Sequence, residues 1–233
     1  RNPESIVNAT LAHLAIKDLE QVKPASKKLL VTAGPTQEPI DSVRFISNHS
    51  SGKMGYALAE VGSAMGFDTT LVSGPVTITP PDGVKTVYTN TAEEMNEAVT
   101  AEFPSCDALV MAAAVGDFRA CQTSSEKMKK KQFKDMQLKF EFTDDILQNV
   151  SAIKKDAQMV VGFAAESTDI IENAQQKLKD KRLDFIIAND ISKPGIAFGA
   201  DDNKVTLVTP TGTQDFERMS KFTLAAKLLQ YIT

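Results

Sequence analysis

Polar groups able to hold or move charge gather at a few places in the chain. The run Ser47-Asn48-His49-Ser50-Ser51-Gly52-Lys53-Met54-Gly55, with Gly34-Pro35-Thr36 upstream, is a small-residue loop that opens a helix. Unpaired backbone N–H groups and the helix dipole favour an anion there, so a phosphate is the expected guest and the loop the floor of a site. It is not a P-loop, because Ser47 stands at the first glycine position and Met54 follows Lys53 where a magnesium-binding Ser or Thr is required. The dinucleotide fingerprint Gly-x-Gly-x-x-Gly is absent after the first apolar run. The plainer reading, that Ser50-Ser51-Gly52 only caps and turns the chain into a helix, stands beside it.

Further candidates follow other apolar runs. Asp117 comes after residues 106–115, Glu166 after 158–164, and Asn189 with Asp190 after 184–188. Each alone reads as a cap or turn residue; together they mark one sheet edge, where an open α/β sheet holds its ligands. The lysine-rich run 127–134 reads as a mobile loop. Its alternatives are a solvated charge run, a nonspecific nucleic-acid patch, or a loop that closes over a triphosphate and offsets charge in phosphoryl or nucleotidyl transfer. Lys177 and Lys181 share one helix face beside Ala174 and Leu178. With Asp117 they point to a nucleotide carrying Mg2+, an ion that prefers carboxylate and phosphate oxygens. No nucleophilic triad is available: His13 lies in the first helix, and neither Cys106 nor Cys121 has a histidine partner in a motif. The residues therefore imply that a substrate group attacks a nucleotide, in a transfer or ligation.

The elements that must position these groups alternate. Apolar runs at 29–33, 69–73, 84–88, 106–115, 158–164 and 184–188 read as strands, and 54–65 (ended by Gly66), 91–103, 145–154 and 168–182 as helices. Thr91 with Glu94 forms a capping box, and residues 143–145 cap the helix that follows. Residues 34–53 are about twenty residues of polar loop, against roughly two to six between most strands and helices. Residues 137–142 alternate like a half-exposed strand, 203–208 like an edge strand, and 220–231 form a closing helix. The expected fold is α/β: a Rossmann-like open, mostly parallel sheet with helices on both faces and an additional antiparallel element. Residues 1–27, an amphipathic helix and a Lys-Pro-Ala-Ser linker, read as a tail left by a missing N-terminal domain, and 28–233 as the functional domain.

Composition narrows the class. The chain has 233 residues, 42% of them hydrophobic, and a net charge of −4, with a pI near 5.3. That is enough apolar content for a core, and the acidic balance argues against a nucleic-acid binder. Two cysteines without metal-ligand spacing and no signal segment point to a reducing cytoplasm, and no apolar run approaches the ~18 residues of a membrane span.

Taken together, 31–36 (Val-Thr-Ala-Gly-Pro-Thr), 41–44 (Asp-Ser-Val-Arg), 47–55, 71–75 (Leu-Val-Ser-Gly-Pro), 113–119 (Ala-Ala-Val-Gly-Asp-Phe-Arg), 126–130 (Glu-Lys-Met-Lys-Lys), 161–166 (Val-Gly-Phe-Ala-Ala-Glu) and 188–190 (Ala-Asn-Asp) resemble the phosphopantothenoylcysteine synthetase family of coenzyme A biosynthesis. The resemblance covers nearly everything after residue 27. It implies a ligase that activates 4'-phosphopantothenate with CTP as an acyl-cytidylate, releases pyrophosphate, and lets the L-cysteine amine displace CMP. It further implies Asn48 in turnover of that intermediate and Lys127 in its formation. Nucleotide contacts fall on Met111, Ala112, Ala113, Asp117, Lys127, Asp144, Asp145, Ile146, Leu147, Phe163, Lys177 and Lys181. The phosphate-binding set is Gly34, Pro35, Thr36, Ser50, Ser51, Gly52, Lys53 and Asn189, with Asp117 meeting magnesium through the nucleotide. Family members are homodimers, residues 137–142 being a candidate interface, and many bacterial members carry an N-terminal flavin-dependent decarboxylase. Gly116 and Phe118 depart from the alanine and tyrosine common in relatives. Three rivals remain: an ATP-dependent version of the ligase, a nucleotide-binding module without turnover, and an NAD(P)-dependent oxidoreductase, for which the glycine fingerprint is missing.

Overall fold

A computed structural model describes residues 3–17, 19, 27–129, 137–166, 169–190 and 199–232. Six strands run parallel: β1 (Lys28–Ala33), β4 (Asp68–Ser73), β5 (Lys85–Tyr88), β6 (Ala108–Met111), β9 (Met159–Glu166) and β10 (Phe185–Asp190). The antiparallel strands β11 (Asp202–Thr209) and β12 (Gly212–Ser220) extend the sheet beyond β10. Its order is β12-β11-β10-β9-β6-β1-β4-β5. Two short antiparallel ribbons stand outside it, β2 (Gln37–Pro39) with β3 (Phe45–Ser47), and β7 (Phe118–Ala120) with β8 (Phe140–Phe142).

Period-two alternation sends side chains of the central strands into two cores. Leu29 and Val31 of β1, Val110 of β6 and Ile187 of β10 pack with α1 (Pro3–Lys17), α2 (Lys53–Ala64) and α6 (Lys221–Leu229). Leu30, Leu109 and Ile186 face the other way, onto α3 (Ala92–Glu102), α4 (Ile146–Ile153) and α5 (Ile170–Asp180). Each such burial is worth about 1.5–3 kcal/mol, far more than the local preferences at stake, so these alternations set the architecture. The expected fold class is therefore found.

Caps fix where helices begin. Thr91 Oγ1 accepts the Glu94 N–H at 3.2 Å while the Glu94 carboxylate reaches back to the Asn90 N–H at 2.6 Å. Asp145 caps α4 and Ser220 caps α6 in the same manner. Helix α2 differs. Its N-cap, Gly52, has φ 76° and offers no side-chain acceptor, so the first N–H groups of the helix have no capping side chain. Helix α5 likewise lacks a side-chain cap.

Several expectations are corrected. The polar stretch 34–53 is not all loop: it holds the β2–β3 hairpin, whose three-residue strands are too short to show a period. Residues 106–115 are strand only over β6, the remainder serving the cleft described below. β11 is not the edge, because β12 lies outside it; only Phe216 of β12 is buried. β8 covers Phe140–Phe142 and is exposed at every residue rather than on alternate ones. Of the lysine-rich run, residues 130–136 lie outside the described ones, as does Thr168 at the start of the 168–182 helix. Helix α1 packs on α2 and α6, with Ala12 fully buried.

Gly55 shows how closely α2 crosses β1. A Cβ there would lie 2.5 Å from Ala33 Cβ and 2.6 Å from the Thr32 carbonyl oxygen, and this backbone cannot step aside. Gly55→Ala is expected to destabilise the fold by about 1–3 kcal/mol through overpacking, read as a lower urea midpoint. Gly212→Ala, where an added Cβ meets nothing within 4 Å, should leave the midpoint unchanged.

Candidate functional site

The strand order reverses direction around β1: the chain moves outward to β4 and β5, then returns to place β6 on the other side of β1. Ligand crevices form at such points, beyond the carboxyl ends of the strands. Here the loops leaving β1 and β6 are joined to each other. Ala114 N–H donates to the Gly34 carbonyl at 2.8 Å, and Thr36 N–H to the Ala114 carbonyl at 3.3 Å. Two buried threonines complete the seam: Thr32 Oγ1 accepts from Ala113 N–H at 3.1 Å and Thr36 Oγ1 from Gly116 N–H at 2.9 Å.

Above this seam lies a cleft of about 1080 Å3, just above the ~300–1,000 Å3 usual for small-molecule sites and so roomy enough for two substrates together. Its floor is Asn48, Ser50, Ser51, Gly52 and Lys53, at the uncapped start of α2. Ser47 Oγ donates to the Thr36 carbonyl at 2.7 Å, and Asn48 Nδ2 to the Val115 carbonyl at 2.9 Å. Only the NH2 end of an amide can make the second bond, so the orientation of the Asn48 side chain is fixed.

A second wall begins with Met111, Ala112, Ala113 and Asp117, and continues with Phe163 of β9. Asn189, at the end of β10, lines the cleft with its Oδ1 buried and without a hydrogen-bond partner. A buried orphan acceptor is costly unless a ligand supplies a donor. The third wall is Asp144, Asp145, Ile146 and Leu147, with Lys177 and Lys181 of α5. Lys181 Nζ sits 2.8 Å from Asp145 Oδ2, and Thr143 Oγ1 donates to the Gly116 carbonyl at 2.6 Å, tying this wall to the seam.

Most candidate residues therefore meet in one cleft. Gly34, Pro35 and Thr36 do not line it; they lie beneath, in the seam that supports it. Lys127 is exposed and also outside the lining. The segment bearing Lys127 is anchored through Met128, whose N–H donates to Asp41 Oδ2 at 3.1 Å while its carbonyl accepts from Arg44 at 3.3 Å. The side chains of Glu166 and Asp190 lie outside the described residues. The lining also includes groups not anticipated, among them Phe142, Thr143, Gly199, Asn203 and Lys221. Lys221 carried a signal, a cation in the first turn of a helix where the dipole opposes it.

Among the described residues, no group of three or more His, Cys, Asp and Glu could hold a metal ion. Asp117, Asp144 and Asp145 are the carboxylates that line the cleft. Among the described residues, too, no helix is long and apolar enough to cross a membrane.

The profile of the DNA/pantothenate metabolism flavoprotein C-terminal domain family matches residues 25–233. A cysteine/cysteine sulfinic acid decarboxylase of an unknown prokaryotic organism is 40% identical over 232 residues, 99% of this chain and 64% of that protein. The coenzyme A biosynthesis bifunctional protein CoaBC of Escherichia coli (strain K12) is 41% identical over 234 residues, 99% of this chain and 56% of that protein. This chain thus spans little more than half the length of such relatives. Among solved structures, the C-terminal domain of a coenzyme A biosynthesis bifunctional protein CoaBC superposes with TM-score 0.75 at 38% identity, covering 88% of this chain and 93% of that one. A Cab2 mutant in complex with phosphopantothenate-cysteine shares the fold at TM-score 0.70 and 15% identity, over 98% of this chain and 90% of that one.

Asp41 anchors the segment that bears Lys127. Burial alone would raise its carboxyl pKa, but N–H groups of Val43, Met128 and Arg44 and the Arg44 charge hold it below the ordinary carboxylate value. A carboxyl with a depressed folded pKa adds stability above its unfolded pKa and loses it as pH falls through the folded one. Asp41→Asn should therefore lower the urea midpoint at neutral pH, by less and less as the medium becomes acidic. It should also speed hydrogen exchange at the Met128 amide.

Proposed function

Because the chain belongs to the DNA/pantothenate metabolism flavoprotein C-terminal domain family, we propose that it is a ligase joining 4'-phosphopantothenate to L-cysteine through an acyl-cytidylate, consuming CTP in coenzyme A biosynthesis. One observation carries this reading: a single cleft joins an uncapped helix N-terminus, on the floor beside Asn48, to one wall bearing Phe163 and another bearing Lys177 and Lys181. The CoaBC relatives and the family profile support the same pathway.

In this reading CTP lies along the Met111, Ala112 and Ala113 backbone, its base against Phe163, its phosphates toward Lys177 and Lys181, and Asp144, Asp145, Ile146 and Leu147 closing over it. Mg2+ arriving on the nucleotide would meet Asp117 and withdraw charge from the phosphates. The 4'-phosphate of phosphopantothenate occupies the start of α2, against Ser50, Ser51, Gly52 and Lys53, while Asn189 Oδ1 accepts from a hydroxyl or amide donor of the bound substrate. Gly34, Pro35 and Thr36 hold that floor in place. The pantothenate carboxylate attacks the α-phosphorus and pyrophosphate leaves; the cysteine amine then attacks the acyl carbon, and CMP departs as the amide forms. A free carboxylate is a poor acyl donor, so the mixed anhydride supplies the leaving group the second step requires. Asn48 orients the acyl carbonyl for the amine. Lys127 assists the first step once its loop lies over the nucleotide.

The working molecule is proposed to be a cytoplasmic homodimer. Phe118, Phe140 and Phe142 form an exposed patch on the β7–β8 ribbon, Phe142 being 87% accessible. Such a surface is suited to a second subunit. The bifunctional CoaBC relatives are longer, the matched segment making up 56% of the Escherichia coli protein. Phe142→Glu should shift the sedimentation of the protein toward monomer.

The decisive experiment follows pyrophosphate release with 4'-phosphopantothenate, Mg2+ and either CTP or ATP, before and after adding cysteine, with mass spectrometry of each mixture. The expected result is an acyl-cytidylate that cysteine converts to amide and CMP. An acyl-adenylate instead would establish the ATP-dependent ligase, and nucleotide binding without pyrophosphate release a binding module. Asn48→Asp is expected to slow the amide step by about 10²-fold or more with the intermediate accumulating, and Lys127→Gln to slow its formation by about 10²-fold.

A further inference from the structure

Near α2 the cleft is lined by Gly199, Asn203 and Lys221, to which the reaction above gives no task. Lys221 is only 6% exposed. Burial, foremost, and the neighbouring Lys53 charge push its ammonium below the ordinary lysine range, with Asp201 and Asp202 opposing them. It also stands in the first turn of α6, where the helix dipole disfavours a cation. Hydrogen bonds hold it there: Nζ donates to the carbonyl of Ala200, and to that of Asp202 at 3.2 Å.

Those two carbonyls flank Asp201, and Asp201 Oδ1 lies 2.7 Å from Lys53 Nζ. Lys53 Nζ also donates to the Gly199 carbonyl at 2.9 Å. The Lys53 hydrogen bond and charge hold the Asp201 carboxyl below the ordinary carboxylate range. Lys53 is the first residue of α2 and lines the cleft, whereas the Asp201 side chain is 89% accessible. Ion pairs this exposed contribute little, while an ammonium beside free helix N–H groups makes strong charge-assisted bonds to a phosphate.

We infer that Lys221 is a positioning residue: by holding the carbonyls of Ala200 and Asp202 it sets Asp201 on Lys53, and a phosphate entering at the start of α2 takes Lys53 from Asp201. The exchange favours phosphorylated over unphosphorylated ligands, since only a group with a full negative charge at that point competes with a carboxylate. It rests on the ligase reading only for identifying that phosphate as the 4'-phosphate of phosphopantothenate.

The test is a double-mutant cycle read by calorimetric titration in the absence of nucleotide. The ligands are 4'-phosphopantothenate, pantothenate and inorganic phosphate. Asp201→Asn removes the competitor and should tighten 4'-phosphopantothenate about two- to fivefold, leaving pantothenate unchanged. The gain should vanish in the Lys53→Met and Lys221→Met backgrounds and return in Lys221→Arg, which keeps donors for the two carbonyls. Should Lys221→Met fail to fold by circular dichroism, Lys221→Gln takes its place in the cycle. Weaker or unchanged binding in Asp201→Asn, or an equal gain in the Lys221→Met background, overturns the inference. The same coupling with inorganic phosphate upholds it even if the wild type releases no pyrophosphate, in which case only the ligase reading falls.

Discussion

Everything at the cleft depends on the hydrogen-bonded seam between the segments that leave β1 and β6. Parallel strands normally part company at their carboxyl ends, and the loops beyond them go separate ways. Here the ladder continues through Gly34, Thr36 and Ala114, and Thr32 and Thr36 satisfy the N–H groups of Ala113 and Gly116 from buried positions. Backbone that has left the sheet thereby keeps sheet-like rigidity, and buried polar groups that would otherwise be costly are paired. Asn48 and Ser47 fasten the entry to α2 onto the same seam, and Thr143 fastens the opposite wall. The floor and the walls at 111–117 and 143–147 are thereby tied to one frame, the condition for holding two substrates in register.

The charges on that rigid frame are divided. Lys177 and Lys181 stand on one wall, at the C-terminal end of α5 where the helix dipole suits a cation. Lys53 and Lys221 stand on another, at helix starts where it does not. The first pair is stabilised by its helix; the second is maintained by Asp201 and by backbone carbonyls. Phe163, Met111 and the small residues 112–114 lie among the lining groups as well, so the cleft joins a low-dielectric surface to two cationic regions. For the proposed ligation this keeps the two phosphate-bearing reactants apart at their charged ends.

Much of this was legible in the sequence because burial on both faces leaves a strong pattern. The strands around β1 stand out for that reason, and the capping box at Thr91 because its residue types recur at fixed spacing. What was misread has a physical cause in each case. Residues 112–115 are apolar like the strand before them, yet their backbone turns to the seam instead of a neighbouring strand. β12 buries only Phe216, so an edge strand with polar faces gives no period. The β2–β3 hairpin is held by Asp41 and its backbone partners, a feature of turn chemistry and not of periodicity. Asn203 reaches the cleft only because β11 folds back alongside β10, which no local signal foretells, whereas Lys221 was marked only by its unfavourable place at a helix start.

One contact far from the cleft carries a different lesson. Lys27 Nζ donates to the Ile232 carbonyl at 2.8 Å, so the entry to the first strand and the final helical turn meet at one spot. Lys28 begins β1, and Ala33 at its other end leads into the seam; six residues at ~3.3 Å each separate the two by roughly 20 Å. That contact sits at the amino end of β1, a strand's length from the seam, so the chain's last turn is fastened to the entry of β1 at the end of the sheet opposite the ligand cleft.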